Sequence, residues 1–312
     1  MNDTLDRMQA SGDFEFQRMI VDDIDNEQVF AVNVPEMPEG EISLVSTKTN
    51  IVGGLLYLLH SYIEDAMSGN RAAPVVRFAD GEYAFYANNL KCNGLYRQAE
   101  SVRAIRKALP FHLEAFKFLL DHGKAAPLIY PGNIHRPQPK LLSFFKKQKG
   151  EASARAFLDF IDLNGLDLNS SNYIPFYMVY AYLTSELFCR LVDKKTICII
   201  NSDHSIDDCH HWFSIRGSQP EILFIDIDKA YVATRWLDMR QKVLDAMPER
   251  ADLCLVGAGV GALPVCVDVA RHCSLPVIDA GHVVNMFNGL ESKSNGPRLF
   301  TQWKSEREKP TS

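Results

Sequence analysis

Short apolar segments alternate along the chain with longer stretches in which apolar residues recur at helical spacing. Six of these segments are bounded by turn residues, and they read PVVRF, APLIY, KTICII, ILFI, LCLVG and LPVID. Each is a nearly continuous apolar run, as expected of a strand that is buried on both faces. Such strands in alternation with helices predict an α/β, Rossmann-like fold, in which a mostly parallel sheet carries helices on both faces of a single main domain.

The stretches between these strands predict helices. The segment IVGGLLYLLHSYIEDAM places an apolar stripe on one helix face, formed by Leu55, Leu58, Leu59 and Ile63. The segment SVRAIRKALPFHLEAFKFLLDH predicts helix with an interruption at Pro110, because proline lacks the amide hydrogen that a helix interior uses. A buried helix is predicted to start near Pro175 and to be followed by helix through VYAYLTSELFCRLV.

The first part of the chain differs from the rest in composition. Residues 1–50 are acidic and weakly periodic, and they contain the proline- and glycine-rich segment PEMPEGE. This pattern predicts an N-terminal extension over residues 1–50, followed by the main domain over residues 51–312.

Composition and charge narrow the class of protein. Of the 312 residues 46% are hydrophobic, which is enough to bury a large core, and the net charge of -6 argues against a nucleic-acid-binding surface. The chain opens without the basic and then apolar pattern of a secretory signal, and its longest apolar stretch contains Pro175 and Glu186, so no transmembrane segment is predicted. Seven cysteines without a C-x-x-C pair predict free or buried thiols and a cytoplasmic location.

Two acids stand one residue apart just after the first predicted strand. Asp80 and Glu82 are separated by a glycine, and Asp-Gly between apolar runs is also a hairpin signal, while Asp80 alone would suit a helix N-cap. The helical spacing of Tyr83, Tyr86 and Leu90 favours a strand that leads into a helix. Acids at the carboxyl end of a parallel strand face the crevice where such sheets bind ligands, and two carboxylates supply hard oxygen ligands for Mn2+ or Mg2+.

A glycine-rich segment follows the fifth predicted strand. Gly257, Gly259 and Gly261 lie between a strand and a helix, where glycines let the backbone turn tightly and approach a diphosphate at the helix N-terminus. The segment GAGVGA also satisfies the dinucleotide fingerprint, and Asp279 stands near the spacing expected of a ribose contact. A nicotinamide-dependent oxidoreductase is therefore an alternative, as is a purely structural role in packing a helix on the sheet.

Another acidic pair follows the strand ILFI. Asp226 and Asp228 form a D-x-D arrangement that resembles a metal-binding motif. The simpler interpretation is a strand end with one exposed acid and one acid paired to a cation such as Lys229 or Arg235. We favour the simpler interpretation.

A histidine-rich cluster follows the strand KTICII. His204, Asp208 and His211 would share a helix face and could hold a transition metal, as in a metallohydrolase. Ser205, three residues before Asp208, instead predicts the start of a helix with acids near its positive end, and this structural interpretation is favoured. Asp203 and His204 follow a strand, so they remain candidates for the part of a ligand site that binds a second, acceptor substrate.

Three segments together resemble the GT-D-type glycosyltransferases. They are residues 77–82, which read RFADGE, the glycine-containing residues 255–263, and residues 278–282, which read IDAGH. The resemblance covers most of residues 51–290, with its recognisable motifs at the two ends. It implies a Rossmann-like nucleotide-sugar fold in which a D-x-E motif binds a divalent metal and the donor diphosphate. This chain has Ala79 where the family commonly has glycine.

The resemblance also implies roles for individual residues. Asp80 and Glu82 would be the catalytic D-x-E pair and would hold the metal. The donor-binding residues would be Arg77, Gly257, Gly259, Gly261, Asp279 and His282.

The resulting prediction is a metal-dependent glycosyltransferase that moves a hexose from a nucleotide diphosphate sugar to a hydroxyl of a glycan or glycoconjugate acceptor. A UDP-sugar is the favoured donor, Mn2+ or Mg2+ is the expected cofactor, and a homo-oligomer is left open. The alternatives are a nicotinamide-dependent oxidoreductase that uses GAGVGA and a catalytically silent nucleotide-binding protein. The sugar, the general base and the stereochemical outcome are not readable from the residues.

Overall fold

A six-stranded parallel sheet forms the centre of the molecule. The computed structural model describes residues 21–23, 28–30, 50–92, 96–129, 154–169, 171–174 and 176–289. The sheet order is β6-β3-β10-β9-β7-β8, and each neighbouring pair is parallel. The strands are β3 (Ala73–Phe78), β6 (Lys124–Pro127), β7 (Thr196–Asn201), β8 (Glu221–Asp226), β9 (Leu253–Gly257) and β10 (Pro276–Asp279). The predicted α/β fold with a parallel sheet is confirmed.

Two small antiparallel pairs lie outside this sheet. Strands β1 (Val21–Asp23) and β2 (Gln28–Phe30) form one pair, and β4 (Lys91–Cys92) and β5 (Tyr96–Arg97) form the other. Most of the predicted N-terminal extension lies outside the described residues, so the boundary near residue 50 stays a prediction.

Helices cover both faces of the sheet. In chain order they are α1 (Asn50–Ser68), α2 (Asp80–Tyr86), α3 (Val102–His122), α4 (Ala154–Leu163), α5 (Phe176–Thr184), α6 (Glu186–Val192), α7 (Ile206–Ser214), α8 (Val232–Asp245), α9 (Ala262–Cys273) and α10 (His282–Phe287). Buried side chains of α2, α3, α4, α8 and α9 form one core, and those of α1, α5, α6, α7 and α10 form the other. Within β7, Cys198 and Ile200 face the first core while Ile197 and Ile199 face the second, which is the alternation expected of a central strand.

The chain connections explain where a ligand site can form. The chain moves from β3 to β6 and from β8 through β9 to β10 with its helices on the first face. It moves in the opposite direction from β6 to β7 and β8; in these connections α5, α6 and α7 lie on the second face, and α4 lies on the first. Opposite directions on opposite faces are what crossovers of a single hand require. At the carboxyl edge, the segment after β3 therefore leaves toward one face and the segment after β10 toward the other, which opens a crevice between these two neighbouring strands.

Several predicted elements differ in detail from the structure. Strand β6 begins at Lys124 and ends at Pro127, so it starts before the predicted APLIY segment. Helix α3 is continuous through Pro110, contrary to the predicted interruption. Both Pro110 and Arg106 are exposed, so water can bond the carbonyl that loses its helical partner.

The run VYAYLTSELFCRLV forms two helices. Helix α5 ends at Thr184 and α6 begins at Glu186. The break has a local cause, because the Ser185 hydroxyl donates to the Tyr182 carbonyl at 2.7 Å and accepts from the Phe188 amide at 3.2 Å. Ser185 thus ends one helix and caps the next.

The apolar face predicted for α1 is wrong at Leu58, which is 68% exposed. The side chains that enter the core are Leu59, Ile63 and Ala66, on a face rotated away from Leu58. The six cysteines whose side chains are described are free thiols, of which all but Cys273 are buried. Among the described residues, no helix has the combination of length and apolar character needed to span a membrane.

Candidate functional site

Asp80 and Glu82 lie in the first turn of α2, directly after β3. Strand β3 ends at Phe78, Ala79 is the extended N-cap residue with φ of -135°, and α2 begins at Asp80. The strand-to-helix interpretation is confirmed, and the hairpin interpretation is wrong. Asp80 is the first helical residue, and the N-cap position considered for it from sequence is occupied by Ala79. Both acids lie at the positive end of a helix and at the carboxyl edge of the sheet.

The Glu82 side chain folds back onto the start of its own helix. Its Oε2 atom accepts a hydrogen bond from the Ala79 amide at 2.9 Å. This is one half of a reciprocal cap, because alanine has no side-chain acceptor for the other half. Burial raises the pKa of Glu82 to about 7, the Ala79 amide opposes that rise, and the nearby Asp279 carboxylate adds to it. Glu82 therefore exchanges a proton near neutral pH, and a bound cation would favour its ionised form.

Arg77 and Asp279 form a buried ion pair across the two strands that flank the crevice. The guanidinium Nη2 donates to Asp279 Oδ1 at 2.8 Å, Nε donates to the Asp279 carbonyl at 2.8 Å, and the Arg77 amide donates to Oδ2 at 3.1 Å. Arg77 is 7% exposed and Asp279 is 3% exposed. Burial raises the pKa of the Asp279 carboxyl and the guanidinium opposes that rise, while Arg77 itself stays cationic because Asp279 and Tyr180 outweigh the effect of burial on its pKa. The direct contact between the two side chains keeps the pair ionised.

Aromatic side chains and a glycine enclose the Arg77 guanidinium. The Nη1 atom of Arg77 donates to the Tyr180 hydroxyl. The central guanidinium carbon, Cζ, lies 4.4 Å from the centre of the Tyr180 ring and 5.2 Å from the centre of the Phe176 ring. Gly281 has φ of +47°, and a Cβ atom built on it would lie 1.9 Å from Nη2. A side chain at position 281 would therefore collide with the guanidinium. The sequence did not indicate Tyr180, since it stands in an ordinary tyrosine-rich apolar helix.

The three glycines of the predicted phosphate loop have different environments. Gly261 packs against the start of α8, where an added Cβ would lie 2.5 Å from Val232 Cγ1, and Gly257 packs against Asn201, where it would lie 2.5 Å from Oδ1. Gly259 is exposed, has φ of +52° and has open space where a Cβ would stand. Two of the glycines thus serve packing, and Gly259 is the point of open access. We call residues 257–261 the glycine turn; it contains the 3-10 turn Gly259–Gly261 and leads into α9.

The elements around the crevice contact one another. Helix α2 contacts the glycine turn, and so does α8. His282 is half-buried and begins α10 directly after Gly281, so it stands on the side of the crevice opposite α2. The structure therefore brings the D-x-E helix, the Arg77–Asp279 pair, the glycine turn and His282 to one edge of the sheet.

The residues predicted for the acceptor side lie further along the same edge, after β7. Asp203 pairs with Lys229 at 2.9 Å, and this contact holds the pKa of Asp203 below its usual value. His204 Nδ1 lies 3.2 Å from Asp226 Oδ1, and its ring stacks on Phe224 with 4.7 Å between ring centres. The side chain that contacts Asp226 is thus His204, whereas the sequence suggested Lys229 or Arg235 as the partner of one of the two acids.

The cluster of His204, Asp208 and His211 does not share a helix face. Helix α7 begins at Ile206, so His204 precedes it, and the Ser205 hydroxyl accepts from the Asp208 amide at 3.4 Å. The helix start predicted from Ser205 is confirmed. Within the described ranges, no three His, Cys, Asp or Glu side chains are grouped so as to hold a metal ion.

Comparisons with known proteins give one structural similarity. A solved structure described as the highly conserved domain of unknown function 1792, with a distinct glycosyltransferase fold, superposes with a TM-score of 0.46 and 16% sequence identity. The match covers 74% of this chain and 78% of that one. No family model matches the chain, and no curated protein matches it. The α/β assignment rests on the sheet order and helix layers described above.

Proposed function

We propose that the protein is a glycosyltransferase that moves a hexose from a nucleotide diphosphate sugar to a hydroxyl of a glycan or glycoconjugate acceptor. The observation that carries the proposal is the contact between α2, whose first turn holds Asp80 and Glu82, and the open glycine turn at the start of α9. The acidic turn supplies a cation site, and the glycine-rich start of α9 supplies a phosphate site. Both face one crevice, so the two sites lie side by side. A nucleoside diphosphate joined to its sugar, with a UDP-sugar as the favoured donor, uses both.

The acids suit a cation that is shared with the substrate. Asp80 and Glu82 offer oxygen ligands, and no third protein carboxylate, histidine or cysteine completes a metal-binding group in the described part of the chain. Mg2+ and Mn2+ accept such partial sites, because they take one or two carboxylates and fill the remaining positions with phosphate oxygens and water. The donor set therefore fits Mn2+ or Mg2+. When bound, such an ion neutralises charge on the diphosphate leaving group.

The remaining residues of the crevice act by binding and positioning. The amides at the start of α9 favour the negative charge of the diphosphate, since they lie at the positive end of a helix of twelve residues. Arg77 and Asp279 satisfy each other, so their role in this proposal is to fix the ends of β3 and β10 and to set the charge around Glu82. His282 and the exposed Gly259 provide the direct contacts to the donor.

The acceptor is assigned to the part of the edge beyond the glycine turn. Strand β7 lies next to β9, so the segment that carries Asp203 and His204 is the next one along the sheet. Asp226 holds the His204 ring through Nδ1, which leaves Nε2 to interact with an acceptor hydroxyl. His204 is therefore our choice for the residue that contacts the acceptor.

A nicotinamide-dependent oxidoreductase is less well supported. The adenosine ribose of a bound NAD would need a free carboxylate oxygen at Asp279, next to the glycine turn. Both oxygens of that carboxylate accept bonds from Arg77, and the residue is almost fully buried. A catalytically silent nucleotide-binding protein has the same site and differs in turnover alone.

A thermal-shift series tests the proposal. UDP-sugars, GDP-sugars, NAD and NADP are each added with and without Mn2+, because a ligand stabilises the state that binds it, by about 2.7 kcal/mol at a concentration of 100 times Kd. A nucleotide sugar should raise Tm more with Mn2+ than without it, and EDTA should reverse the difference. Saturable binding of NADH, with UDP and GDP inert, would replace the proposal with the oxidoreductase.

A further inference from the structure

Gln98 has a buried side-chain amide for which the described residues supply no hydrogen-bond partner. The residue is 5% exposed, and neither Nε2 nor Oε1 is bonded to any group in the part of the chain that the structure describes. Buried side-chain amides are normally bonded, because each atom that loses water without a replacement costs free energy. An unsatisfied amide inside a protein therefore needs an explanation, and a missing ligand is one.

The position of Gln98 in the fold is at the carboxyl edge of the sheet. It lies between α2, which starts at that edge, and α3, which ends at His122 just before β6 begins at Lys124. Since β6 begins at the amino edge, α3 begins at the carboxyl edge, and Gln98 lies just ahead of that beginning. It is therefore on the same side of the sheet as the crevice.

Hydrogen bonds attach this segment to both walls next to the glycine turn. The backbone N–H of Gln98 donates to the carbonyl of Leu90 at 2.9 Å, and Leu90 lies just beyond the end of α2. The Glu100 carboxylate accepts from the Thr234 hydroxyl and from Arg235 Nε, both at 2.5 Å. Thr234 belongs to the first turn of α8, the turn that packs against Gly261. Gln98 is thus held between α2 and the helix that supports the glycine turn.

A further buried polar atom without a partner among the described residues lies in the same segment. Asn88 follows α2 with φ of +59°, and its Oδ1 atom is buried without a hydrogen-bond partner among the described residues. Asn88 and Gln98 stand on either side of Leu90, which is bonded to Gln98. This segment at the ligand edge therefore holds three buried polar atoms without a partner among the described residues, Nε2 and Oε1 of Gln98 and Oδ1 of Asn88.

We propose that Gln98 is a specificity-determining residue that binds a ligand group presenting a hydrogen-bond donor next to an acceptor. An amide offers one N–H and one carbonyl side by side, which matches a nucleobase edge or the vicinal hydroxyls of a sugar. This inference rests on the proposed function and names the part of the nucleotide sugar that is read. A site built to bond such a group rejects analogues that lack it, because its own buried atoms then stay unpaired.

The test separates ligand recognition from a structural role through two effects of opposite sign. The variant Gln98→Met keeps the length of the side chain and removes both polar atoms. If the amide is unsatisfied in the free protein, the urea midpoint of the free variant should equal or exceed that of the wild type. Calorimetry with UDP, GDP and UDP-glucose, each with Mn2+, should show affinity reduced by about tenfold or more for the ligand that Gln98 binds.

The matched control is Gln241→Met. Gln241 is exposed on α8 and bonds Asp245 at 2.7 Å, so its replacement should leave the affinity for every ligand unchanged. Loss of affinity for free UDP or GDP assigns Gln98 to the nucleotide, and loss for UDP-glucose alone assigns it to the sugar.

Three outcomes overturn the inference. A lower urea midpoint in Gln98→Met would mean that the amide is bonded within the protein in solution, for example to Asn88. If the wild type binds a ligand and Gln98→Met binds it with the same affinity, the inference is also refuted. That result would leave the proposed glycosyltransferase function intact. A wild type that binds none of the three ligands would refute both.

Discussion

Arg77 and Asp279 lie on neighbouring strands and are joined by three hydrogen bonds, two from the side chain of Arg77 and one from its backbone. The pair fixes β3 to β10 at the point where the crevice opens. Because Asp279 also acts on the pKa of Glu82, this pair connects the frame of the site to its acidic turn.

Replacing Glu82 by Gln should abolish transfer and leave the fold nearly unchanged. The amide oxygen of glutamine can still accept from the Ala79 amide, so little of the capping energy of about 0.5 to 2 kcal/mol is lost. The charge that binds the cation is lost, and we expect turnover to fall at least about 100-fold. Turnover with Mn2+ and the urea midpoint should be measured beside Glu114→Gln, an exposed control on α3. Normal turnover in Glu82→Gln would remove the D-x-E motif from the mechanism.

Mn2+ affinity should increase as pH rises toward the pKa of Glu82, which is about 7. Below that pH a proton occupies the carboxylate and competes with the cation, and above it the competition ends. The same raised pKa also affects stability. Between pH 4.5 and about 7 the folded state keeps the Glu82 proton, whereas the unfolded state has released it. The free energy of unfolding therefore decreases as pH rises through this range. Calorimetric titration with Mn2+ at several pH values measures the affinity, and a profile identical to that of Glu82→Gln would contradict the prediction.

Acid should destabilise the protein through His112. The ring is fully buried, and burial lowers its pKa to about 4 from the ordinary value of 6.5. It lies between the Ala233 carbonyl, 2.8 Å from Nε2, and the Tyr86 hydroxyl, 3.1 Å from Nδ1, so Nε2 donates while Nδ1 accepts from tyrosine. Because the unfolded state takes up a proton below pH 6.5 and the folded state resists it, stability falls as pH drops from 6.5 toward 4.

The measurement for His112 is the urea midpoint at pH 7 and pH 5 in the wild type and in His112→Gln. The variant should be less stable at pH 7 but should lose less stability between the two pH values. His122→Gln, at an exposed position on the same helix, is the control. An equal loss in His112→Gln and the wild type would show that other groups cause the acid effect.

Gly281→Ala should destabilise the protein more than Gly217→Ala. Both glycines have positive φ, +47° and +73°, so alanine is strained at either position. At position 217 nothing lies within 4 Å of the added Cβ, whereas at position 281 Arg77 Nη2 would lie at 1.9 Å. We expect a cost of about 1 kcal/mol for Gly217→Ala and a clearly larger one for Gly281→Ala, measured by urea unfolding. Equal costs would mean that the guanidinium moves freely.

His204→Gln should slow transfer and leave donor binding unchanged. The histidine is held by Asp226 beyond the glycine turn, on the side assigned to the acceptor. The expected change is a lower kcat at saturating donor with an unaltered Kd for the nucleoside diphosphate. His210→Gln, an exposed histidine on α7, serves as the comparison. A weakened Kd with unchanged kcat would assign His204 to the donor.

The strands could be predicted because their sequences are nearly continuous apolar runs, as strands covered on both faces require; β8, at the edge of the sheet, keeps such a run although it is only partly buried. The helices were less predictable at their ends and faces. The break at Ser185 depends on hydroxyl bonds that spacing does not reveal, and Leu58 is apolar yet exposed, so composition misplaces the buried face of α1.

The candidate site was predictable in its motifs and not in its contacts. Asp80, Glu82 and the three glycines stand at strand ends, and the parallel sheet brings strand ends together. The pairing of Arg77 with Asp279 depends on which strands become neighbours, and no local pattern encodes that. Gln98 gave no signal in the sequence, because it stands out only by a buried amide that has no partner within the described part of the chain.

The position of β10 has a consequence for the order in which the molecule assembles. This strand lies between β3 and β9, so it joins the pair β6-β3 to the group β9-β7-β8 within the parallel sheet. Arg77 and Asp279 are 202 positions apart in the chain, which makes their contact one of high sequence separation. A ribosome must therefore deliver nearly all of the described chain before the two halves of the sheet can meet, and folding should be slow and should end with the insertion of β10.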